Sequence, residues 1–335
     1  MKIAVLTGGT SAEREVSLAS GRAVARALSD RAHEVLAIDT AGGRLISAPQ
    51  ADLARTEIGT EPPTAEGEEG QAGPIARAFE ELPETRDTEV VFVALHGGAG
   101  EDGRIQAVLD LIGIPYTGSG PLGSALAMDK IVSKELFTSA GIPTPAWLVG
   151  PIEAAEVEAK LGGYPVIVKP SNEGSTVGVT LVADADELGL AIERASTFVG
   201  LPLIEAFIPG RELAVGVLGE EALPIVEIRP SHEIYDYECK YTKGMSEYLV
   251  PAPIDPEIAA QVQELAVRAH KVLRLSAYSR IDFRLDDIGR PWCLEANSLP
   301  GMTATSLLPK AAAACGIAFE ELCERIVRLA LEERS

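Results

Sequence analysis

The segment RIDFRLDDIGRPWCLEANSLPGMTATS, residues 280–306, decides how the rest of the chain is interpreted. Apolar and polar residues alternate at its start, which is typical of a half-buried β-strand. A second strand is predicted over residues 292–297, with Trp292, Leu294 and Ala296 on its apolar face and Cys293, Glu295 and Asn297 on the other. Turn residues at 286–289 predict a hairpin between the two strands.

The polar faces of this hairpin would bring Asp282, Glu295 and Asn297 within roughly 5 to 8 Å of each other. Two carboxylates at that distance repel unless they share a proton or hold a cation, and oxygen ligands favour Mg²⁺. A hairpin whose charges face water is the alternative. The glycine-containing loop at 299–303 follows directly and can turn backbone N–H groups toward an anion.

Length, charge and composition narrow the class of protein. At 335 residues the chain is long enough for two or three domains. Its 29 basic against 50 acidic residues give a net charge of -21, which argues against nucleic-acid or anionic-membrane binding. The apolar runs fall short of the roughly 18 residues that span a membrane, and the first residues enter a strand directly. We therefore predict a cytoplasmic protein with reduced cysteines.

The first 120 residues read as an α/β unit with ligand-binding turns. Residues 2–7 predict a strand, and a Gly-rich turn and a helix over about 13–28 follow it. Glu13 could receive an ammonium group, or it could simply suit the helix dipole. The continuous apolar run at 90–95 predicts a buried parallel strand, which places His96 at the edge where such sheets bind ligands. A core or capping role for His96 is the alternative.

An acidic excursion separates the second and third strands of this unit. Between Glu57 and Glu89 there are ten acidic residues and two arginines. We interpret residues 40–88 as a surface insertion, with a short helix over about 75–82.

The middle of the chain supplies basic and acidic residues for a nucleotide. A hairpin is predicted over 164–182, with a Gly-containing loop at 171–176 that could cover phosphates and Lys169 at its inner end. Glu205 and Glu212 flank a turn and could contact a ribose. The aromatic loop at 235–244 is typical of segments that fold over a substrate.

In this order and spacing the segments resemble the D-alanine–D-alanine ligases of the ATP-grasp superfamily. The resemblance covers nearly the whole chain. The motifs that carry it are GGTSAEREVSLASG, ALHGGAGEDG, PYTGSG…MDK, VIVKPSNEGSTVGV, LIEAFIPGRELAV, YDYECKY, SRIDF and LEANSLPGMTATS.

The resemblance implies an α/β, three-domain ATP-grasp architecture. Residues 1–118 would form a Rossmann-like parallel-sheet domain with the acidic insertion, residues 119–206 the central ATP-grasp subdomain, and residues 207–335 the C-terminal subdomain with the metal and catalytic residues. The acidic insertion is longer than the family's usual connection. The resemblance also implies a homodimer.

The nucleotide-binding residues follow from the same resemblance. Lys130 and Lys169 resemble the phosphate lysines, and Lys240 resembles the γ-phosphate contact. Glu205 resembles the adenine-side residue and Glu212 the ribose contact. The implied cofactors are two Mg²⁺ or Mn²⁺ ions per active site, with ATP as co-substrate.

The metal and reaction centre falls on the opening segment. Asp282, Glu295 and Asn297 resemble the metal ligands. Arg280 and the Gly301 backbone N–H resemble the groups that stabilise the oxyanion.

The substrate site draws on both ends of the chain. Glu13 resembles the residue that receives the ammonium of the first D-alanine, and Ser175 and Tyr241 resemble its partners in a link that pins the closing loop. The remaining residues implied in substrate binding are His96, Ser306 and Leu307, the last two holding the second substrate's carboxylate.

The implied reaction is the ATP-dependent ligation of two D-alanines through a D-alanyl phosphate, for peptidoglycan precursors. A D-alanine–D-lactate ligase is one alternative, which Tyr241 disfavours because that family change accompanies loss of the loop tyrosine. A non-catalytic nucleotide-binding protein is another. A nicotinamide oxidoreductase is disfavoured because the GxGxxG fingerprint is missing.

Overall fold

The N-terminal part of the chain folds into a mostly parallel sheet with helices. A computed structural model describes residues 1–41, 44–46, 73–232, 234–242, 244–303 and 305–333. The elements here are β1 (Lys2–Thr7), α1 (Arg14–Asp30), β2 (Glu34–Asp39), β3 (Arg44–Leu45), α2 (Gly73–Glu81), β4 (Val90–Val93) and α3 (Arg104–Ile112). The strand order is β3-β2-β1-β4, and β1 pairs in parallel with β2 and β4. Because β1 and β4 are apolar throughout their interiors, both faces of the sheet can be covered.

The short helix predicted within the acidic excursion is present as α2. The rest of that excursion, apart from residues 40–41, 44–46 and 73–88, lies outside the described residues.

A second, antiparallel sheet forms the centre of the chain. Its elements and the two helices before it are α4 (Pro121–Met128), α5 (Lys130–Ser139), β5 (Trp147–Val149), α6 (Ala154–Leu161), β6 (Val166–Pro170), β7 (Thr180–Val182), α7 (Ala185–Ala195) and β8 (Pro202–Ala206). The strand order is β5-β8-β6-β7. The predicted β6–β7 hairpin is present, but β7 is shorter than predicted because residues 171–179 form the connecting loop. Ser175 and Thr176 at its tip adopt left-handed backbone, with φ of 49° and 63°.

The third sheet carries the opening hairpin. Its elements are β9 (Arg211–Leu218), β10 (Glu221–Ala222), β11 (Val226–Pro230), α8 (Tyr237–Tyr241), β12 (Ser246–Leu249), α9 (Pro256–Val272), β13 (Tyr278–Leu285), β14 (Pro291–Asn297), α10 (Leu307–Ala314) and α11 (Phe319–Glu333). The strands run β12-β11-β9-β13-β14, with β10 on β9, and all pairs are antiparallel.

A β-bulge corrects one prediction for the hairpin. Asp282 pairs with Glu295 as expected, but the next residue, Phe283, pairs with Cys293, so the register skips Leu294. Cys293 therefore lies in the apolar core beside Phe283, and burial raises the pKa of its thiol. Leu294 lines the pocket instead. Strict alternation misplaced these two side chains and Trp292, which pairs with Arg284, because one extra residue reverses the faces of a strand.

Two helical segments connect the three sheets. Helix α11 packs against the first sheet, and its Ile326 belongs to the same core as β1 and β4. Helices α4 and α5 pack on the third sheet, where Phe137 shares a core with Phe283. The predicted domain boundaries near 118 and 206 stay predictions. Among the described residues, no helix combines the length and apolarity needed to cross a membrane.

Candidate active site

A charged pocket lies between the second and third sheets. It encloses about 980 Å³ of empty space, the open mouth included. Apolar side chains such as Ile167, Val179 and Leu294 form part of its wall. The charged residues that line it are Lys130, Lys169, Glu173, Glu205, Glu212, Lys240, Arg280, Asp282, Arg284 and Glu295. An apolar wall with this many converging charges suits a ligand that has a flat ring and several phosphates.

The hairpin brings its polar residues together as predicted. Asp282 and Glu295 are register partners across β13 and β14, and the Asn297 side-chain N–H donates to Asp282 Oδ2 at 3.1 Å. Arg280 donates to both oxygens of Asp282 at 2.8 Å. This is a two-bond guanidinium–carboxylate pair, which fixes the carboxylate in orientation as well as in charge.

Cations from four elements surround Glu295. Its carboxylate is buried, which on its own would raise the pKa, but Lys130, Lys169, Lys240 and Arg280 hold the pKa of Glu295 at about 2. Lys130 Nζ lies 3.7 Å from Glu295 Oε2 and donates to the Glu173 carbonyl in the loop above. Glu295 is therefore an anion near neutral pH.

Glu205 is held by two buried lysines. Lys169 Nζ is 2.8 Å from Glu205 Oε2, and Lys134 Nζ is 3.0 Å from Oε1. Burial favours the neutral acid, yet the two cations lower the pKa of Glu205. Lys134 is fully buried and was not among the predicted site residues. Its position one helical turn after Lys130 on α5 was the available signal, because residues four apart share a helix face.

Arg284 is a second residue that the sequence interpretation missed. Its Nη1 lies 3.3 Å from Glu212 Oε2, and its Nε donates to the Ile208 carbonyl at 3.0 Å. Burial raises the pKa of Glu212. Arg284 follows Arg280 by four residues in β13, so the period-2 alternation already placed it on the polar face.

The loop after β11 leads into α8, whose Lys240 lines the pocket. The Lys240 Nζ lies 5.3 Å from the centre of the Tyr235 ring, and burial lowers the pKa of Lys240. His232 contacts Asp236 at 2.7 Å, and Asp236 accepts from the Cys239 backbone N–H at 2.9 Å, which ties the loop to α8. The predicted Tyr241 belongs to α8, but its side chain lies outside the described part of the structure.

The predicted ammonium site is adjacent to the loop at 171–179 between β6 and β7, which we call the flap. Ser175 donates a hydrogen bond to Glu13 Oε1, although the two residues are 162 positions apart. Burial raises the pKa of Glu13, and the nearby Glu101 raises it further, while His96 and Ser175 oppose the shift. His96 lies behind this carboxylate with its Nδ1 3.4 Å from Glu101. The structure therefore brings Glu13, Ser175 and His96 together.

The glycine loop after β14 leads to the start of α10. The Thr303 N–H donates to Ser306 Oγ at 3.1 Å, and Ser306 precedes the first helical residue, Leu307. A side chain on Gly301 would approach Ser306 Oγ to 2.9 Å, so a larger residue there would displace the Ser306 hydroxyl. Leu307 lines the pocket, which places this helix start at the site.

Two family models together match nearly the whole chain. The model described as D-ala D-ala ligase N-terminus matches residues 2–119, and the one described as D-ala D-ala ligase C-terminus matches residues 136–328. The chain belongs to the D-alanine–D-alanine ligase family. The resemblance inferred from the motifs is thereby confirmed.

Named relatives and a solved structure agree with this family. A D-alanine–D-alanine ligase of Synechococcus sp. strain JA-3-3Ab is 43% identical over 99% of this chain and 94% of its own length. That of Halalkalibacterium halodurans is 44% identical over 99% of this chain and 100% of its own. The crystal structure of D-alanine–D-alanine ligase from Bacillus anthracis complexed with ATP superposes with a TM-score of 0.78 at 31% identity, covering 100% and 98% of the two chains. The ATP-grasp fold is confirmed with it.

Proposed function

We propose that this chain joins two molecules of D-alanine, with ATP converted to ADP and phosphate. The arrangement that supports this most directly is the pocket itself. The cations that suit phosphates, Lys130, Lys169 and Lys240, surround Glu295, and the Glu13 carboxylate that suits an ammonium lies under the same flap. An ATP-dependent ligase needs both groups in one enclosure because its activated intermediate hydrolyses in water.

The metal requirement is part of the proposal. Asp282, Glu295 and Asn297 offer oxygen ligands only, and Glu295 is ionised, so the donor set fits Mg²⁺ or Mn²⁺. These residues would hold two such ions against the ATP phosphates. When bound, the ions would neutralise charge on the phosphoryl oxygens.

The residues then divide the reaction between them. Glu13 holds the ammonium of the first D-alanine and leaves its carboxylate facing the γ-phosphate, with Lys240 above. Phosphoryl transfer gives an acyl phosphate, and the free amine of the second D-alanine attacks its carbonyl carbon. Arg280 and the Gly301 N–H meet the oxyanion that develops, and phosphate leaves. The start of α10 at Ser306 and Leu307 receives the second carboxylate.

The proposal is tested by phosphate release. We expect release that requires ATP, Mg²⁺ and D-alanine together, with D-alanyl-D-alanine as product. A parallel assay offers D-lactate in place of the second D-alanine. Preferential ester formation near neutral pH would favour the D-alanine–D-lactate ligase alternative. ATP binding without turnover on D-alanine would favour a non-catalytic protein.

Location, assembly and domain limits are also proposals. A cytoplasmic location is supported by the ATP requirement and by the buried thiols of Cys239, Cys293 and Cys323, which are unpaired. A homodimer is supported by the family resemblance alone, and light scattering would test it. Domains at 1–118, 119–206 and 207–335 would follow the three sheets, with α4 and α5 bridging them.

Glu101 is expected to set the acid limit of D-alanine binding. Only ionised Glu13 can hold an ammonium, and its raised pKa means that affinity falls as the pH drops through a value above the ordinary 4.5. Because Glu101 contributes repulsion, Glu101→Gln should lower the pKa of Glu13 and move this limit to lower pH. The measurement is the KM for D-alanine against pH at saturating ATP.

The neighbouring Asp102→Asn is the matched control, because Asp102 pairs with Arg104 instead. It should leave the pH profile of the KM unchanged. A Glu101→Gln profile that overlays the wild type would show that Glu13 does not govern the acid limb.

A further inference from the structure

Ser20 links two parts of the active site that are far apart in sequence. It is fully buried on α1, and its Oγ lies 2.9 Å from His96 Nε2. The same oxygen accepts a hydrogen bond from the Met302 backbone N–H at 3.2 Å. One hydroxyl thus joins the histidine behind Glu13 to the residue after Gly301.

The hydrogen-bond directions in this link follow from what each group can do. A backbone N–H only donates, so the Ser20 oxygen is the acceptor from Met302. Its single hydrogen is then free to be donated to His96 Nε2. When Nε2 accepts from Ser20, the ring hydrogen lies on Nδ1, which faces Glu101 Oε1 at 3.4 Å. Every member of the chain has a partner of the correct type.

The link joins segments that follow strands of two different sheets. His96 follows β4 of the first sheet, whereas Met302 follows β14 of the third. Both residues are nearly fully buried, so water does not easily replace a lost partner. Ser20 therefore helps to fix the separation between the first substrate's ammonium site and the Gly301 N–H.

We propose that Ser20 is a positioning residue for the ligation step. It touches neither substrate, but it holds the Gly301–Met302 backbone in register with His96 and Glu13, so that the oxyanion donor stands at the carbonyl of the bound acyl group. This inference rests on the proposed function. It assigns a role to α1 beyond its first turn.

The test is Ser20→Ala, with Ser17→Ala as a matched control. Ser17 is equally buried on the same helix, but its hydroxyl donates to the Ala94 carbonyl and does not reach the 301–302 loop. We expect Ser20→Ala to lower kcat roughly 10- to 100-fold, the range typical for a reacting group displaced by about 1 Å. The KM for ATP should change less than about twofold, because the phosphate lysines lie on other elements. Ser17→Ala should keep kcat near the wild-type value.

A second background separates positioning from general stability. In His96→Ala the link is already broken, so adding Ser20→Ala should cost clearly less than it does in the wild type. If the alanine variant unfolds, Ser20→Cys takes its place in the test. Cysteine is close to serine in side-chain volume but is a weaker donor, so we expect the same pattern with a smaller loss of kcat. The inference would be overturned if the kcat losses of His96→Ala and Ser20→Ala multiplied fully in the double variant. It would also be overturned if Ser20→Ala had the same kcat as Ser17→Ala. A wild-type chain that forms no dipeptide would instead overturn the proposed function.

Discussion

Arg280→Met is expected to lower kcat by roughly 100- to 1,000-fold, equivalent to ~3 kcal/mol of transition-state stabilisation. Arg280 supplies a guanidinium that is nearly buried and fixed on Asp282 by two hydrogen bonds. A donor that is already oriented stabilises developing charge without rearranging, which is why its loss is costly. The neutral methionine also leaves Asp282 with only the Asn297 amide among these contacts. Steady-state phosphate release at saturating ATP and D-alanine measures the effect.

Arg211→Met provides the control for Arg280→Met. Arg211 makes a comparable two-bond pair with Glu227 in the same sheet, at 2.8 and 2.7 Å, but it does not line the pocket. Its replacement should reduce stability without a matching fall in kcat. Arg280→Lys, which retains charge but loses the two-bond geometry, should fall between the two. If Arg280→Met and Arg211→Met had the same kcat, Arg280 would have no role in the chemistry.

The β13–β14 hairpin shows which side-chain positions the alternation of apolar and polar residues can predict. Alternation placed Arg280, Asp282 and Arg284 on one face of β13, and the structure agrees. It failed in β14, because the bulge opposite Asp282 could not be read from composition. Asp282 and Glu295 are still cross-strand partners, because the pairs from Arg280–Asn297 to Asp282–Glu295 all lie on one side of the bulge. The error fell on Trp292, Cys293 and Leu294, which contribute to packing and to the pocket wall.

Contacts across sheets were beyond the sequence. Nothing local indicates that Ser20 meets Met302, or that Glu13 meets Ser175, because these pairs depend on how three sheets pack. The resemblance supplied the second pair but not the first. Lys134 was overlooked for a different reason. A lysine in a helix is usually solvated, and only the packing of α5 on the third sheet buries it.

The packing of the sheets against each other also brings four cations together around Glu295. Helix α5, strand β6 and helix α8 each contribute one lysine, and β13 adds Arg280. Without ATP these cations are offset by the carboxylates of the same pocket lining, Glu173, Glu205, Glu212, Asp282 and Glu295. The overall charge of -21 thus coexists with a site in which basic and acidic residues are equal in number.

Glu295→Gln is expected to raise the Mg²⁺ concentration for half-maximal activity by at least roughly 10- to 100-fold, the range seen when even indirect partners of a metal are removed. The substitution keeps the shape and removes the charge from a group whose pKa is about 2. Because Glu295 stays ionised well below neutral pH, acid does not neutralise it as the substitution does. Moderate acidification should therefore not weaken Mg²⁺ binding to the wild type through this residue. Titrating Mg²⁺ at fixed ATP and D-alanine measures the shift.

A binding readout separates metal affinity from chemistry in Glu295→Gln. Mg²⁺ with ADP should raise the Tm of the wild type above the value with ADP alone, because a ligand held at 100 times its Kd stabilises by roughly 2.7 kcal/mol. The variant should lose that Mg²⁺-dependent increment and keep the ADP response. Glu227→Gln is the control, since Glu227 is a buried carboxylate of the same sheet that pairs with Arg211 and Arg229 outside the pocket. An unchanged Mg²⁺ increment in Glu295→Gln would exclude Glu295 from the metal ligands and leave the neighbouring lysines as the only reason for its charge.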